Sequence, residues 1–349
     1  MEYQQNFTKR YDYAPLEVKV PLMDILSVSQ SKSTKSALYC YVFLIGIVLL
    51  GAVSILGWSI IPLLSGQFDR LPTTVIMLVF FLFVIGIIYS ELRSAREQVR
   101  LKSFAEANNF TYLDATNSTL DSYNGVMMNE GYSRTLHVGM RSNGAIRHEL
   151  ANCSYVTGSG KNSKTRRYGF IRIKLPRRLP HMVLDATANN TFGRFSNLPV
   201  TFRDSQKLSL EGDFDKYFTL YAPAEYKADA LYVFTPDVMQ LFIERIHTFD
   251  AEIIDDDLYL YSPRLFELDS PASLQALLDL VDSIYPKLYN QSSYYADSKV
   301  GERAVNDIAP QGERLKSRIS YIVIAIIVFF VLILILPTLI RLVGSLGGS

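Results

Sequence analysis

Three runs without a charged residue, Ser36–Phe68, Leu71–Ser90 and Ile319–Ile340, constrain this chain more than any other feature. A helix rises about 1.5 Å per residue and the hydrocarbon core of a bilayer is about 30 Å thick, so about 20 apolar residues suffice to cross it. Each run meets that length. The expected fold class is a soluble α+β domain, mostly antiparallel sheet with a few helices, plus three transmembrane α-helices. The chain then divides into a tail over 1–35, a first span over 36–64, a short loop over 65–73 and a second span over 74–91. The soluble domain follows over 92–289, then a linker over 290–317, a third span over 318–341 and a tail over 342–349.

Orientation follows from Lys and Arg beside the span ends. Lys32, Lys35, Arg93, Arg96, Arg100, Lys102, Arg314, Lys316 and Arg318 lie on one side, against Arg70 and Arg341 on the other. The expected localisation is therefore a multi-pass protein of the plasma (inner) membrane. The N-terminal tail and the soluble domain are cytoplasmic, and the 65–73 loop and C-terminal tail are external. Asn-X-Ser/Thr triplets at Asn6, Asn109, Asn117, Asn152, Asn189 and Asn290 would be glycan acceptors in a secreted domain, but the charge bias outweighs them. Cys40 lies in the first span and Cys153 in the domain, so they do not pair, and a domain without disulfides fits a reducing compartment. The first apolar run is too long for a signal peptide and has no small-residue cleavage site.

The spans carry no Asp, Glu, Lys, Arg or His, which argues against a pump or ion-coupled transporter and for plain anchors. In the tail, Tyr11–Ile25 alternates apolar and polar residues. It fits either a short extended segment docked on the domain or a loosely ordered terminus, and the second is the expectation for a chain end.

Within the domain, Arg93–Asn108 continues the second span as a helix that the Asn108-Asn109 pair stops. Strands are expected at Phe110–Leu113, from Thr135, at Glu149–Thr157 and at Tyr168–Leu175, the last two joined by a hairpin tip at 158–165. Gly169, Ile171, Ile173 and Leu175 face the core, and Phe170, Arg172 and Lys174 face solvent. Leu208–Asp215 and Tyr217–Ala222 read as two more strands. Ala251–Ser262 reads as a strand, an Asp-Asp turn and a strand. Thr235-Pro236 and Ser270-Pro271 open helices, because Ser or Thr caps the first turn and Pro suits its first position.

Catalytic and metal motifs fail on spacing. Gly158-Ser-Gly160-Lys161 lacks the first Gly of a phosphate loop and has Asn162 where Ser or Thr would ligate magnesium. His148-Glu149 would open a zinc motif, but its second His is Asn152. Asp213 with Asp215, and Asp255–Asp257, match no Ca²⁺ loop and read as solvated turn acids. No cofactor and no metal site is expected. One charge pattern stands out. Ala151–Leu184 contains no acid but holds Lys161, Lys164, Arg166, Arg167, Arg172, Lys174, Arg177 and Arg178, whereas Asp204–Asp282 carries seventeen acids and five bases. The basic set suits an anionic surface, its own acidic half, or simply solvent. The aromatic platforms of RNA binders are missing, and nucleic acid is disfavoured.

LSLEGDFDKYFTLYAPAEYKADALYVFTPDVMQLFIE, with KLPRRLPHMVLDA and SNLP before it, resembles a family of uncharacterised bacterial membrane-associated proteins. The likeness covers roughly residues 150–265. It implies a bacterial origin and a cytoplasmic domain beside spans, and it carries over no catalytic residue. The expected function is that of a scaffold or regulator: an interaction module whose partners are the lipid bilayer, anionic headgroups and an unidentified membrane protein. The alternative is a membrane-tethered hydrolase using Asp213, Asp215 or His181.

Overall fold

The computed structural model describes residues 11–21, 71–115, 118–190, 196–210, 212–300 and 306–317, with scattered positions between 46 and 66. The expected third span lies outside the described residues, as does most of the first. In chain order the elements are α1 (Ala14–Glu17), α2 (Leu71–Ala107), β1 (Phe110–Asp114), β2 (Tyr132–Ser142), β3 (His148–Thr157), β4 (Lys164–Ala186) and β5 (Lys207–Leu208). They continue with α3 (Phe214–Tyr217), β6 (Phe218–Tyr221), α4 (Lys227–Val233), α5 (Pro236–Ile246), β7 (Asp250–Ser262), α6 (Pro271–Ser293) and α7 (Pro310–Glu313).

The apolar run from Leu71 and the helix formers after Glu91 make one unbroken helix, α2. Among the described residues it is the one helix long and apolar enough to cross a membrane. Its first half leaves Phe80 and Phe83 more than 60% exposed, an apolar surface that no described part of the domain covers. Its second half buries Leu101, Phe104 and Ala105 in the domain core. Asn109, at φ 61°, ends it in the left-handed conformation that Asn tolerates just past a helix.

Residues 11–18 are docked, which corrects the loose-tail expectation. Leu16 is buried, Tyr13 lies 5.5 Å from Phe104 and Tyr11 lies 5.7 Å from Phe110 between ring centroids. Asn108 locks them there: its Oδ1 accepts from the Asp12 N–H (2.7 Å) and its Nδ2 donates to the Asp12 carbonyl (2.8 Å).

The sheet has seven strands, all paired antiparallel, in the order β1-β2-β3-β4-β6-β5, with β7 also paired to β4. The domain is therefore α+β. One face carries the main core, formed with the end of α2 and with α5 and α6. The other face is also covered: Tyr123, Met127 and Met128 from the connection between β1 and β2 pack on Phe170, Tyr259 and Tyr261. Phe170 is thus fully buried rather than solvent-facing. Period-2 alternation separates two faces but does not say whether the second is wet.

Three further expectations change. The Asp255–Asp257 turn is instead part of one continuous strand, β7. It absorbs Asp255 (φ 55°) at the irregularity where β4 shifts register between Lys174 and Leu179. Leu208–Asp215 is not a strand: pairing stops at Leu208, and Phe214 starts the short helix α3. The 290–317 segment is not a free linker, because α6 continues to Ser293 and Tyr295, Asp297, Ile308 and Ala309 are buried.

Candidate functional site

The eight basic residues part into two groups. Gly158 (φ 79°) and Gly160 (φ 53°) turn the β3–β4 hairpin, whose tip and adjoining start of β4 expose Lys161, Lys164, Arg166 and Arg167. Arg172, Lys174, Arg177 and Arg178 are used inside the domain. Arg172 forks onto Asp257 (Nε–Oδ1 2.9 Å, Nη2–Oδ2 3.0 Å) and reaches Glu149 at 3.2 Å. Lys174 pairs with Asp256 at 2.6 Å, Arg178 with Asp255 at 2.6 Å, and Arg177 donates to the Tyr295 carbonyl at 2.9 Å. The basic face and the acidic half of the sequence meet because β4 lies beside β7. Burial raises the Asp257 carboxyl even with Arg172 against it, whereas Arg314 and Arg178 hold Asp255 below the usual carboxylate range despite its burial.

His181, Asp213 and Asp215 are not brought together. Asp213 is exposed and pairs with Lys216 at 2.6 Å, while Asp215 accepts from Ser209 Oγ and the Leu210 N–H, holding the loop before α3. His181 is buried in β4. Its Nδ1 accepts from the Leu315 N–H (2.9 Å), so Nε2 carries the proton and donates to Glu252 Oε1 at 2.8 Å. Glu252, 1% exposed, also accepts from the Tyr261 hydroxyl and the Val126 N–H, each at 2.7 Å. The sequence singles out His181 but not its partner Glu252, nor the Tyr261 hydroxyl that Glu252 also accepts from. Regular alternation would put Glu252 and Tyr261, nine residues apart, on opposite faces; only the irregularity at Asp255 brings them together, and nothing local announces a pairing across 71 residues.

The segment that leads to the expected third span is gripped by the same face. Beyond the His181 contact, Gln206 accepts from the Lys316 N–H (2.9 Å) and donates to its carbonyl (3.3 Å), and Arg314 pairs with Asp255 at 2.9 Å. Upstream, Asp297 accepts from the Tyr226 hydroxyl (2.6 Å) and the Ala309 N–H (2.9 Å).

Two cavities flank the basic strand. One of about 420 Å³ lies among Arg141, Arg147, Glu149, Arg172 and Lys174; Glu149 pairs with both Arg141 and Arg172, and Lys174 turns to Asp256. The other, of about 450 Å³, runs from Arg166 and Arg167 past a wall of Tyr155, Tyr168 and Tyr261 to Asn197 and Asp250. Among the described residues, no three His, Cys, Asp or Glu side chains gather as a metal centre. Cys153 is buried with its thiol pushed up, far from a reactive thiolate.

No family model and no curated protein sequence matches the chain. Among solved structures, it is similar to the crystal structure of the mycobacterial trehalose monomycolate transport factor A, TtfA, at 11% identity. That likeness covers 55% of this chain and 96% of the other, with a TM-score of 0.34. It is too distant to carry an argument about fold or function.

Proposed function

We propose that this chain is a multi-pass membrane protein whose α+β domain works by interaction, as a scaffold or regulator of other membrane components. The observation that carries this reading is the continuity of α2, whose exposed apolar half leads without a break into a half buried in the domain core. The docking of 314–316 supports it, since a second membrane-directed segment is tied to the same sheet. A domain held this firmly at a bilayer is suited to presenting a surface. That surface is the hairpin tip with Lys161, Lys164, Arg166 and Arg167, whose partner is anionic: headgroups or the acidic face of a membrane protein. The positive-inside bias of the sequence supports a cytoplasmic domain.

Photo-crosslinkers at 161 and 167 of the full-length protein in its native membrane test the reading. A lipid or near-stoichiometric protein adduct is expected, weakened by salt and lost when the four bases become Gln. No adduct, together with turnover by the purified protein that His181→Ala abolishes while the fold persists, would favour the hydrolase instead.

A further inference from the structure

The β4–β7 register pairs Leu184 with Ala251 and so sets Asp185 directly opposite Asp250, on the face that also carries His181 and Glu252. Both carboxylates are buried, at 3% and 1% exposure. Like charges directly opposite each other on a sheet repel, and burial sharpens the conflict. Neither carboxylate is bare: the Ser196 and Asn190 side chains hydrogen-bond Asp185, and the Ala186 N–H, Asn197 and Asn189 hydrogen-bond Asp250.

The hydrogen bonds around this pair leave oxygens over. Asp250 accepts from the Ala186 N–H (2.9 Å) and from Asn197 Nδ2 (2.9 Å). Asp185 Oδ1, Asn189 Oδ1 and Asn197 Oδ1 are buried acceptors without a hydrogen-bond partner among the described residues. Buried acceptors are nearly always matched, so one carboxylate oxygen and two amide oxygens left over in one place point to a ligand. Lys207, exposed on β5, acts on Asp185 only through its field. Every donor atom is oxygen, and the set carries two negative charges, which is the chemistry of a hard divalent cation. The 450 Å³ cavity opens onto Asn189, Asn197 and Asp250, giving an entry path and room for water ligands.

We propose that the floor of this cavity binds a divalent cation of the Mg²⁺ or Ca²⁺ class, held by Asp185, Asp250 and the amide oxygens of Asn189 and Asn197, with water completing the shell. The ion would pin the end of β4 and the 196–199 stretch to β7.

The test uses full-length protein in nanodiscs, stripped with chelator and titrated with Mg²⁺ or Ca²⁺ at fixed ionic strength, read by calorimetry and thermal melting. Saturable binding with a midpoint below about 1 mM and a rise in Tm are expected. Asp185→Asn keeps the shape and removes the like-charge repulsion. Its metal-free form should melt no lower than wild type, while its affinity falls at least about tenfold, as loss of a charged ligand demands. Asn189→Ala should weaken binding in the same direction. No saturable response in the wild type, or an undiminished response in Asp185→Asn, would overturn the proposal; either would leave the three oxygens to buried water.

Discussion

Glu97 sits where α2 leaves its apolar half and meets the loop before α6. Burial and the hydrogen-bonded Asp269 push its carboxyl up to about 7, against a partial offset from Arg93. The folded state therefore holds this proton more tightly than the unfolded chain, whose glutamate titrates near 4.5. Stability from this group is full below about pH 4.5 and is lost as pH rises through about 7. Glu97→Gln should flatten that slope. At pH 8 it should be more stable than wild type by about 1 kcal/mol once solvent screening of a partly exposed group is allowed for. Parallel melts from pH 4.5 to 8 decide the matter, and equal slopes would refute the assignment. Asn108 shows another dependence invisible in sequence: one amide meets the Asp12 backbone and the Phe104 carbonyl at 3.0 Å, joining the tail to the end of α2.

At the scale of elements, short polar segments hold their places through contacts with distant strands. α7 spans only Pro310–Glu313, yet Gly312 lies so close to Tyr226 that an added Cβ would stand 2.5 Å from its ring carbon Cζ. Gly312→Ala should therefore lift 306–317 off the sheet and loosen the His181, Gln206 and Asp255 contacts. Protease cleavage within 306–317 should rise several-fold, with the amides of β4 and β7 still protected from exchange. Unchanged cleavage would mean that Tyr226 gives way at no cost. The hairpin between β3 and β4 was readable in advance, because its glycines and strand alternation are local. The single strand β7 was not, since three consecutive aspartates look like a turn until Arg172, Lys174 and Arg178 are set opposite them.

At the scale of the molecule, the eight basic residues should separate cleanly by substitution. Replacing Lys161, Lys164, Arg166 and Arg167 by Gln should move stability by no more than about 0.5 kcal/mol, as exposed changes usually do. Arg172→Ala removes the fork on the buried Asp257, which keeps only Lys174 at 3.4 Å, and leaves Glu149 to Arg141, so it should destabilise by about 2–3 kcal/mol. Chemical denaturation of both variants checks this, and a costly hairpin variant would place its tip in the fold rather than at a contact.

Chain-local physics determined a good part of this protein in advance. The charge-free stretch after Leu71 makes an apolar helix, because an unbroken run of that length has no polar group to stop it. The Asn108-Asn109 pair ends that helix, and Thr235-Pro236 and Ser270-Pro271 open two others, because caps act within one turn. The alternation in Tyr168–Leu175 likewise sets which residues share a face. The tertiary structure alone decided what covers the second face, that 11–18 and 306–317 are docked, and that three of the eight basic residues, Arg172, Lys174 and Arg178, are neutralised by β7. It alone placed Asp185 opposite Asp250 and His181 against Glu252. Each of those pairings joins residues more than sixty positions apart, and local propensity carries no information about which distant strand a side chain will face.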